Sequence, residues 1–250
     1  PSSSWAQIHK TAGLHCEIVH KQEVKSVNNK LTEEKVGRAG ALVDQGEALI
    51  LTCPENIRYL CGFEYTDGYA IIMHDRSVVF ADSRYIEAAR AKIAQPLETV
   101  LLDRGLGTAE PILRDGKVKR LFYEDIYMTC AELERWKKQY PACTFEPIRG
   151  SFDALREVKT PDEVALIESA QRIALRAFDH ILEFISPERT ETDVALELDF
   201  FMRRSGADGI AFQTIAVSGS ASSLPHGVPR NIPLEHGFLT MDYGAEVSGY

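Results

Sequence analysis

Two polar residues near the end of the sequence, His226 and Asp242, are of types that do chemistry. His226 lies in a loop bracketed by Pro225 and Pro229, and proline rigidity predicts that the histidine is held with little freedom. Asp242 interrupts the apolar stretch 238–245, where a strand carboxylate loses hydration unless a cation or several donors compensate. Hard divalent ions such as Mn²⁺ or Mg²⁺ prefer carboxylate oxygen. The pair therefore indicates one substrate-contacting imidazole and one metal ligand.

A single carboxylate does not hold a catalytic metal ion, so a partner is expected on a neighbouring strand. Ser248 and Gly249 form a turn signal after the strand that carries Asp242. If the chain reverses about residues 247 and 248, roughly position 253 falls opposite Asp242, and a turn about Ser248 and Gly249 instead selects roughly position 255. Both positions lie beyond Tyr250. We therefore expect the hairpin that completes a carboxylate pair to be interrupted at its turn.

Two predicted helices precede this region. Thr160, Pro161 and Glu163 form a capping box with proline at the first helical position, and Ser186-Pro187 stops the helix. A second helix is predicted from Thr190 to the Ser205-Gly206 pair, followed by a strand at 211–219 and a strand at 238–245. The first helix carries one apolar stripe, namely Val164, Ile167, Ala170, Ala174, Ala177, Phe178, Ile181 and Ile185. The second is expected to bury Val194, Leu198 and Phe201.

The first part of the chain alternates helices and strands, which indicates an α/β domain that ends near residue 150. His74 to Ser77 read as the turn of a hairpin, and Ser83 is the expected cap of the helix that follows it. Strands are predicted at 48–52, 69–73, 78–81, 98–102, 120–123 and 144–147. Helices are predicted at 32–44, from Ser83 to about 93, near 108–114 and at 129–139.

Composition limits the class of protein. The chain has 250 residues, 44% hydrophobic and 26% charged, and a formal net charge of −9, so a large nucleic-acid footprint is not expected. A membrane span is also excluded, because no apolar stretch approaches the roughly 18 residues required. Five cysteines without a C-x-x-C pair favour reduced thiols in a cytoplasmic protein, with Cys53 and Cys61 filling the core. Residues 1–30 are interpreted as an extension without an assigned function.

The chain resembles Xaa-Pro aminopeptidases and Xaa-Pro dipeptidases (prolidases) over two domains. Residues 31–154 resemble the creatinase-type amino-terminal domain of that family, a mixed-sheet α/β domain, through "ENIRYLCGF" and "ADSRYIEAAR". Residues 155–250 resemble the amino half of its α+β pita-bread metallopeptidase domain. The matching residues there are Arg156, Lys159, Glu163, Gly206, Ala207, Phe212, Ile215, Ser218, Gly219, Pro225, His226, Gly237, Asp242, Gly244, Ala245, Gly249 and Tyr250.

The resemblance implies hydrolysis of the amino-terminal residue from peptides or dipeptides with proline in second position. It assigns Asp242 as the first carboxylate of a centre of two divalent ions, most often Mn²⁺, and His226 as the catalytic histidine that contacts substrate and stabilises the tetrahedral intermediate. It also implies a peptide as partner and a homodimer. The remaining ligands of the family, a second Asp, a His and two Glu, are not expected in this chain. We therefore predict that the full-length protein is active, whereas this chain alone is inactive and binds no tight two-metal centre.

Three alternatives remain open. A metal-free amidinohydrolase of the creatinase type shares both domains and the loop histidine, and Asp242 argues against it because that enzyme has no cation to neutralise the carboxylate. A non-catalytic pita-bread module would bind a peptide or protein. A serine hydrolase would use Ser220 or Ser222 with His226 and Asp242, but the sequence lacks the G-x-S-x-G elbow. Half of a pita-bread domain is also expected to expose apolar faces, including the stripe on its long helix.

Overall fold

The computed structural model describes residues 32–64 and 67–250. The chain divides into two compact units, of which the first ends at Val158 and the second is Lys159–Tyr250. The division falls a few residues after the expected boundary at residue 154. The proposed extension, residues 1–30, lies outside the described residues. Of the helices in the described part of the chain, none combines the length and apolar character that a membrane span requires.

The first unit is built on a six-stranded mixed sheet. With strands numbered along the chain, as given at the end of this paragraph, the order across the sheet is β4-β3-β2-β1-β5-β6. The pairs β1–β2 and β2–β3 are antiparallel, which confirms the predicted hairpin, and the other three neighbouring pairs are parallel. The strands are β1 (Glu47–Leu51), β2 (Gly68–Met73), β3 (Ser77–Ala81), β4 (Glu98–Leu101), β5 (Arg120–Tyr123) and β6 (Thr144–Pro147).

Helices cover both faces of this sheet. Alternate residues of β1 belong to two separate apolar clusters, with Leu49 and Leu51 in one and Ala48 and Ile50 in the other. Burial on both faces explains why β1 reads as a continuous apolar run. The helices are α1 (residues 32–40), α2 (Pro54–Cys61), α3 (Ile86–Lys92), α4 (Glu110–Asp115), α5 (Cys130–Gln139) and α6 (Ala154–Glu157).

Two details of the first unit differ from the sequence analysis. The predicted cap at Ser83 is wrong, because α3 begins after Tyr85 and has no side-chain cap. Helix α2 was not predicted, although Pro54 stands in its first turn and Gly62 closes it in the left-handed conformation. Cys53 and Cys61 are buried, as expected.

The second unit packs two helices, α7 (Pro161–Phe184) and α8 (Glu191–Arg204), against short strands. Both helices begin with a capping box, including the predicted pair Thr160 and Glu163. The predicted stripe on α7 is divided between the core and the surface. The residues packed in the core with α8 are Ala170, Ile173, Ala177 and Ile181, whereas Val164, Ile167 and Phe178 are each 42% exposed.

Both strands predicted in the second unit are shorter than expected. The strand at 211–219 is reduced to β8 (Ile215–Ser218). The strand at 238–245 is broken into β9 (Leu239–Asp242), which pairs with β8, and β10 (Ala245–Glu246), which pairs with β7 (Gly209–Ile210). Gly244 lies at the break, where an added Cβ would stand 3.1 Å from the Cβ of Ala211.

Candidate active site

Asp242 is the last residue of β9 and is exposed, so its predicted place inside a half-buried strand is wrong. The reason is the break after Asp242, which ends pairing with β8 before the strand can enclose the carboxylate. Because water reaches the carboxylate, Asp242 needs no cation for solvation and does not by itself exclude a metal-free enzyme.

The register of β8 and β9 defines the face on which Asp242 lies. Asp242 stands opposite Ile215, and Thr240 stands opposite Val217. Opposed residues and residues two apart share a face, so these four side chains lie together. The other face, with Ala216 and Met241, joins the core of α7 and α8. Asp242 therefore points away from the core of the second unit.

The loop of residues 219–238, which carries His226, lies over that same face. The Thr240 hydroxyl donates to the Ser222 carbonyl at 2.9 Å. Gly227 is buried against Val217, since an added Cβ would stand 2.8 Å from the Val217 Cγ2. His226, the exposed neighbour of Gly227, is thus brought to the face of the ladder that carries Asp242.

An ion pair between the buried Glu191 and Arg230, which is 41% exposed, holds this loop, and the sequence analysis missed it. The Glu191 carboxylate is 0% exposed and accepts from Arg230 Nη2 at 2.6 Å, Arg230 Nε at 2.9 Å and Arg230 N at 2.9 Å. It also accepts from Ser218 N at 2.7 Å and Ser218 Oγ at 2.8 Å. The sequence signal for this contact was weak: Arg230 lies between Pro229 and Pro233, and nothing in that stretch pointed to Glu191.

The charge of Glu191 is fixed by these donors. Burial raises the pKa of the carboxyl, but the Arg230 guanidinium and the Ser218 donors outweigh it and lower the pKa to about 2. Arg230 also donates to Glu235 at 3.1 Å, a partner that is 46% exposed. The Glu191 carboxylate, which has no solvent exposure and accepts from five donors, is held in its geometry more firmly than the exposed Glu235 carboxylate.

The first turn of α8 adds backbone contacts to the loop. Glu191 N donates to the Ile232 carbonyl at 3.1 Å, and Thr192 N donates to the Arg230 carbonyl at 3.3 Å. These are amides of a helix start, which have no partner within the helix. Leu234 N donates in return to the Arg189 carbonyl at 2.9 Å. The loop is therefore anchored to the helix end from residue 230 to residue 234.

After Asp242 the chain makes a turn about Ser248 and Gly249, which is the second of the two turns considered from the sequence. Val247 and Tyr250 exchange backbone hydrogen bonds of 2.8 and 3.0 Å, and Ser248 and Gly249 have φ values of 49° and 81°. Two central residues with positive φ define a two-residue hairpin turn. This geometry selects the turn about Ser248 and Gly249, and the expectation that a second carboxylate stands opposite Asp242 stays a prediction.

The described residues do not fit a two-metal centre by themselves. Within 32–64 and 67–250, no group of three or more His, Cys, Asp or Glu side chains is arranged to hold a metal ion. A serine nucleophile also gains no support, because the Ser222 hydroxyl donates to the Gly219 carbonyl at 2.7 Å. The site offers an exposed carboxylate on one face of the ladder and, over that face, an anchored loop that carries the exposed His226.

An apolar groove of about 450 Å³ lies on the second unit, between α7 and residues 243–250. Leu175 on its wall is 56% exposed, and Ile167 and Phe178 are each 42% exposed. The groove is lined by Ile167, Ala170, Gln171, Ala174, Leu175, Phe178, Tyr243, Gly244, Ala245 and Tyr250. The predicted exposure of the apolar stripe on the long helix holds for Val164, Ile167 and Phe178, whereas Ala170, Ala177 and Ile181 of the same stripe are buried.

Comparisons with known proteins match both units. Residues 39–158 match the Creatinase/Prolidase N-terminal domain, and residues 165–250 match Metallopeptidase family M24. The uncharacterized peptidase YqhT of Bacillus subtilis is 35% identical over 208 residues, covering 82% of this chain and 58% of that protein.

Solved structures agree with these matches. An Xaa-Pro dipeptidase from Bacillus anthracis has a TM-score of 0.79 at 33% identity, covering 88% of this chain and 62% of that chain. An X-Pro aminopeptidase from Thermotoga maritima has a TM-score of 0.74 at 26% identity, covering 81% and 59%. The chain thus spans about 60% of the length of these relatives.

Proposed function

Because the chain joins a Creatinase/Prolidase N-terminal domain to a segment of metallopeptidase family M24, we propose that the protein is a metal-dependent Xaa-Pro peptidase. Its substrates are peptides or dipeptides with proline in second position, and the bond hydrolysed is the one before that proline. The observation that carries the proposal is the loop of His226 lying over the ladder face of Asp242, within the segment that matches family M24.

The proposal gives the two residues separate roles. His226 contacts the substrate and donates a hydrogen bond to the scissile carbonyl oxygen as negative charge develops on it. Asp242 offers one carboxylate to the metal centre, for which we propose two divalent ions, Mn²⁺ first. When bound, such ions supply a nucleophilic hydroxide and polarise the carbonyl. The described residues do not by themselves gather the full ligand set of such a centre.

The setting we propose is a cytoplasmic homodimer with a peptide substrate and without a nucleic-acid or membrane partner. The four described cysteines, Cys53, Cys61, Cys130 and Cys143, are all free thiols. Reduced thiols are typical of cytoplasmic proteins. The net charge of −9 is unfavourable for binding phosphate backbones.

The test uses the protein extended to the full length of its relatives and loaded with Mn²⁺. We expect release of the amino-terminal residue from Xaa-Pro peptides but not from matched Xaa-Ala peptides, with activity lost on chelation and regained with Mn²⁺. Removing one donor to a developing oxyanion costs about 10²- to 10³-fold in kcat, so His226→Ala should fall in that range. Asp242→Asn should abolish Mn²⁺-dependent turnover.

Matched controls separate these effects from damage to the fold. His236→Ala changes an exposed histidine of the same loop, and Asp162→Asn changes an exposed aspartate in the first turn of α7. Both should retain activity within about twofold, as surface substitutions do. Turnover that survives chelation would contradict the metal dependence. Metal-independent hydrolysis of an amidino compound such as creatine, without peptide turnover, would favour the amidinohydrolase alternative. Peptide binding without turnover would favour the binding module.

The 250-residue chain alone is expected to show no turnover in the same assay. Its described residues offer no assembled metal site, and the proposed mechanism needs one. Adding a separately produced segment that corresponds to the remainder of a relative should restore Mn²⁺-dependent turnover. Appreciable turnover by the chain alone would show that the prediction of inactivity is wrong.

A further inference from the structure

The loop that carries His226 is held at two points close to the histidine. Gly227, the next residue, packs directly on Val217 of β8. Further along, Arg230 N, Nε and Nη2 all donate to the Glu191 carboxylate. Four residues span at most about 14 Å even when fully extended, so both contacts lie within that reach of His226.

Glu191 connects this loop to the strand beneath it. One carboxylate oxygen, Oε1, accepts from Ser218 N at 2.7 Å, from Ser218 Oγ at 2.8 Å and from Arg230 Nη2 at 2.6 Å. The other, Oε2, accepts from Arg230 N and Nε, each at 2.9 Å. Ser218 is the last residue of β8, the strand that pairs with β9. A single side chain therefore joins the loop of His226 to the ladder of Asp242.

The second acidic partner of Arg230 does not have the same capacity. Glu235 is 46% exposed and reaches Arg230 by one contact of 3.1 Å. Arg230 itself is 41% exposed, and a contact between two exposed side chains contributes little. Glu191 differs because its carboxylate is fully buried and depends on Arg230 to compensate its charge. The two glutamates thus form an internal comparison on the same arginine.

We infer that Glu191 is the positioning residue for His226, because its buried carboxylate fixes Arg230 and Ser218 and thereby sets the loop on the face of the ladder that carries Asp242. Glu191 itself does not touch substrate. The effect of Glu191 on catalysis rests on the proposed function, whereas its effect on the position of His226 does not.

The first experiment measures the ring of His226 in the 250-residue chain by NMR with labelled histidine. Glu191→Gln and Arg230→Lys should each shift or broaden the His226 signals and speed amide exchange of residues 224–232 by at least about tenfold. His74 in the first unit and His180 on α7 serve as internal controls and should keep their signals. Glu235→Gln, the matched variant, should leave all three histidines unchanged.

The outcomes are decisive in both directions. Unchanged His226 signals in Glu191→Gln or Arg230→Lys would overturn the inference. So would equal perturbation of His74, His180 and His226, because a general loss of stability would then explain the result. If Glu191→Gln does not fold, Arg230→Lys decides the question alone, since lysine keeps the positive charge but loses the two-nitrogen contact.

The second experiment measures kinetics in the full-length, metal-loaded protein. A displaced catalytic group costs up to about 100-fold in rate, so Glu191→Gln should lower kcat by about 10- to 100-fold and change KM by less than about threefold. Glu235→Gln should stay within about twofold. A change in KM alone would contradict positioning of His226. If the unmutated protein has no peptidase activity, the proposed function fails, and the NMR result still decides the role of Glu191.

Discussion

At the scale of single residues, the pKa values of two buried carboxyls are shifted in opposite directions, although burial raises both. Glu124 is 3% exposed and accepts from Cys53 N at 2.8 Å and from Asn56 Nδ2 at 2.6 Å, which are neutral donors. Burial dominates there and raises the pKa of Glu124. At Glu191 the Arg230 guanidinium reverses the balance and lowers the pKa. The presence of the Arg230 cation therefore decides the direction of the pKa shift.

The depressed pKa of Glu191 predicts a specific loss of stability in acid. Its contribution is fully present above the ordinary value of 4.5 and is lost as the pH falls from there towards the folded-state pKa of about 2. The protection factors of the amides in β8 and α8, which compare exchange with the intrinsic rate at the same pH, should therefore fall over this window. In Glu191→Gln the same protection factors should be lower at neutral pH and depend less on pH. An equally steep acid dependence in that variant would contradict the assignment.

At the scale of elements, the local signals were predictable and the tertiary ones were not. The capping box of Thr160 and Glu163 is confirmed because it needs only residues of one helix start. The exposure of Asp242 could not be predicted, since it depends on β10 pairing with β7 instead of extending β9. Helix α2 was missed although Pro54 and Gly62 mark its two ends.

In the candidate site, too, the local features were predictable from the sequence and the tertiary contacts were not. His226 and Asp242 were identified as residue types in restricted settings, and the face that Asp242 shares with Thr240 follows from the predicted alternation. The position of the His226 loop over that face depends on tertiary contacts such as Gly227 with Val217. Glu191 and Arg230 lie 39 positions apart and meet only through folding. The two-domain resemblance was the strongest sequence signal, and matches to the two family models confirm it.

The packing of the loop on β8 predicts the effect of one methyl group. Gly227→Ala would place a Cβ 2.8 Å from Val217 Cγ2 and 2.9 Å from Val217 Cγ1. Overpacking of this kind costs about 1–3 kcal/mol, which chemical denaturation followed by a probe in the second unit would measure. Val217→Ala in the same chain should recover part of that loss. Gly37→Ala, in a helix with open space around the glycine, should be neutral or slightly stabilising.

At the scale of the whole molecule, the chain spans about 60% of the length of its relatives, and its second unit presents an apolar groove. Contiguous apolar surface of this kind usually marks a surface that another element covers. The groove combines exposed side chains of α7 with Tyr243 and Tyr250. It therefore governs how the isolated chain behaves in solution.

The groove predicts that the isolated chain binds an apolar fluorescent dye and associates with itself as its concentration rises. Leu175→Gln combined with Phe178→Gln should reduce dye fluorescence and shift the chain towards monomer in size-exclusion chromatography, since both side chains are exposed. Glu134→Gln, on the exposed surface of α5, is the control and should change neither. A clean monomer without dye binding before mutation would contradict this prediction.

The anchoring of residues 230–234 to the start of α8 has a thermodynamic consequence. The conformational entropy of the loop is lost when the chain folds, so a peptide that reaches His226 meets a site whose ordering is already complete. Calorimetry of substrate binding should then show a small entropic penalty that is insensitive to loop composition. Releasing the anchor through Arg230 would transfer that penalty from the folding step to the binding step.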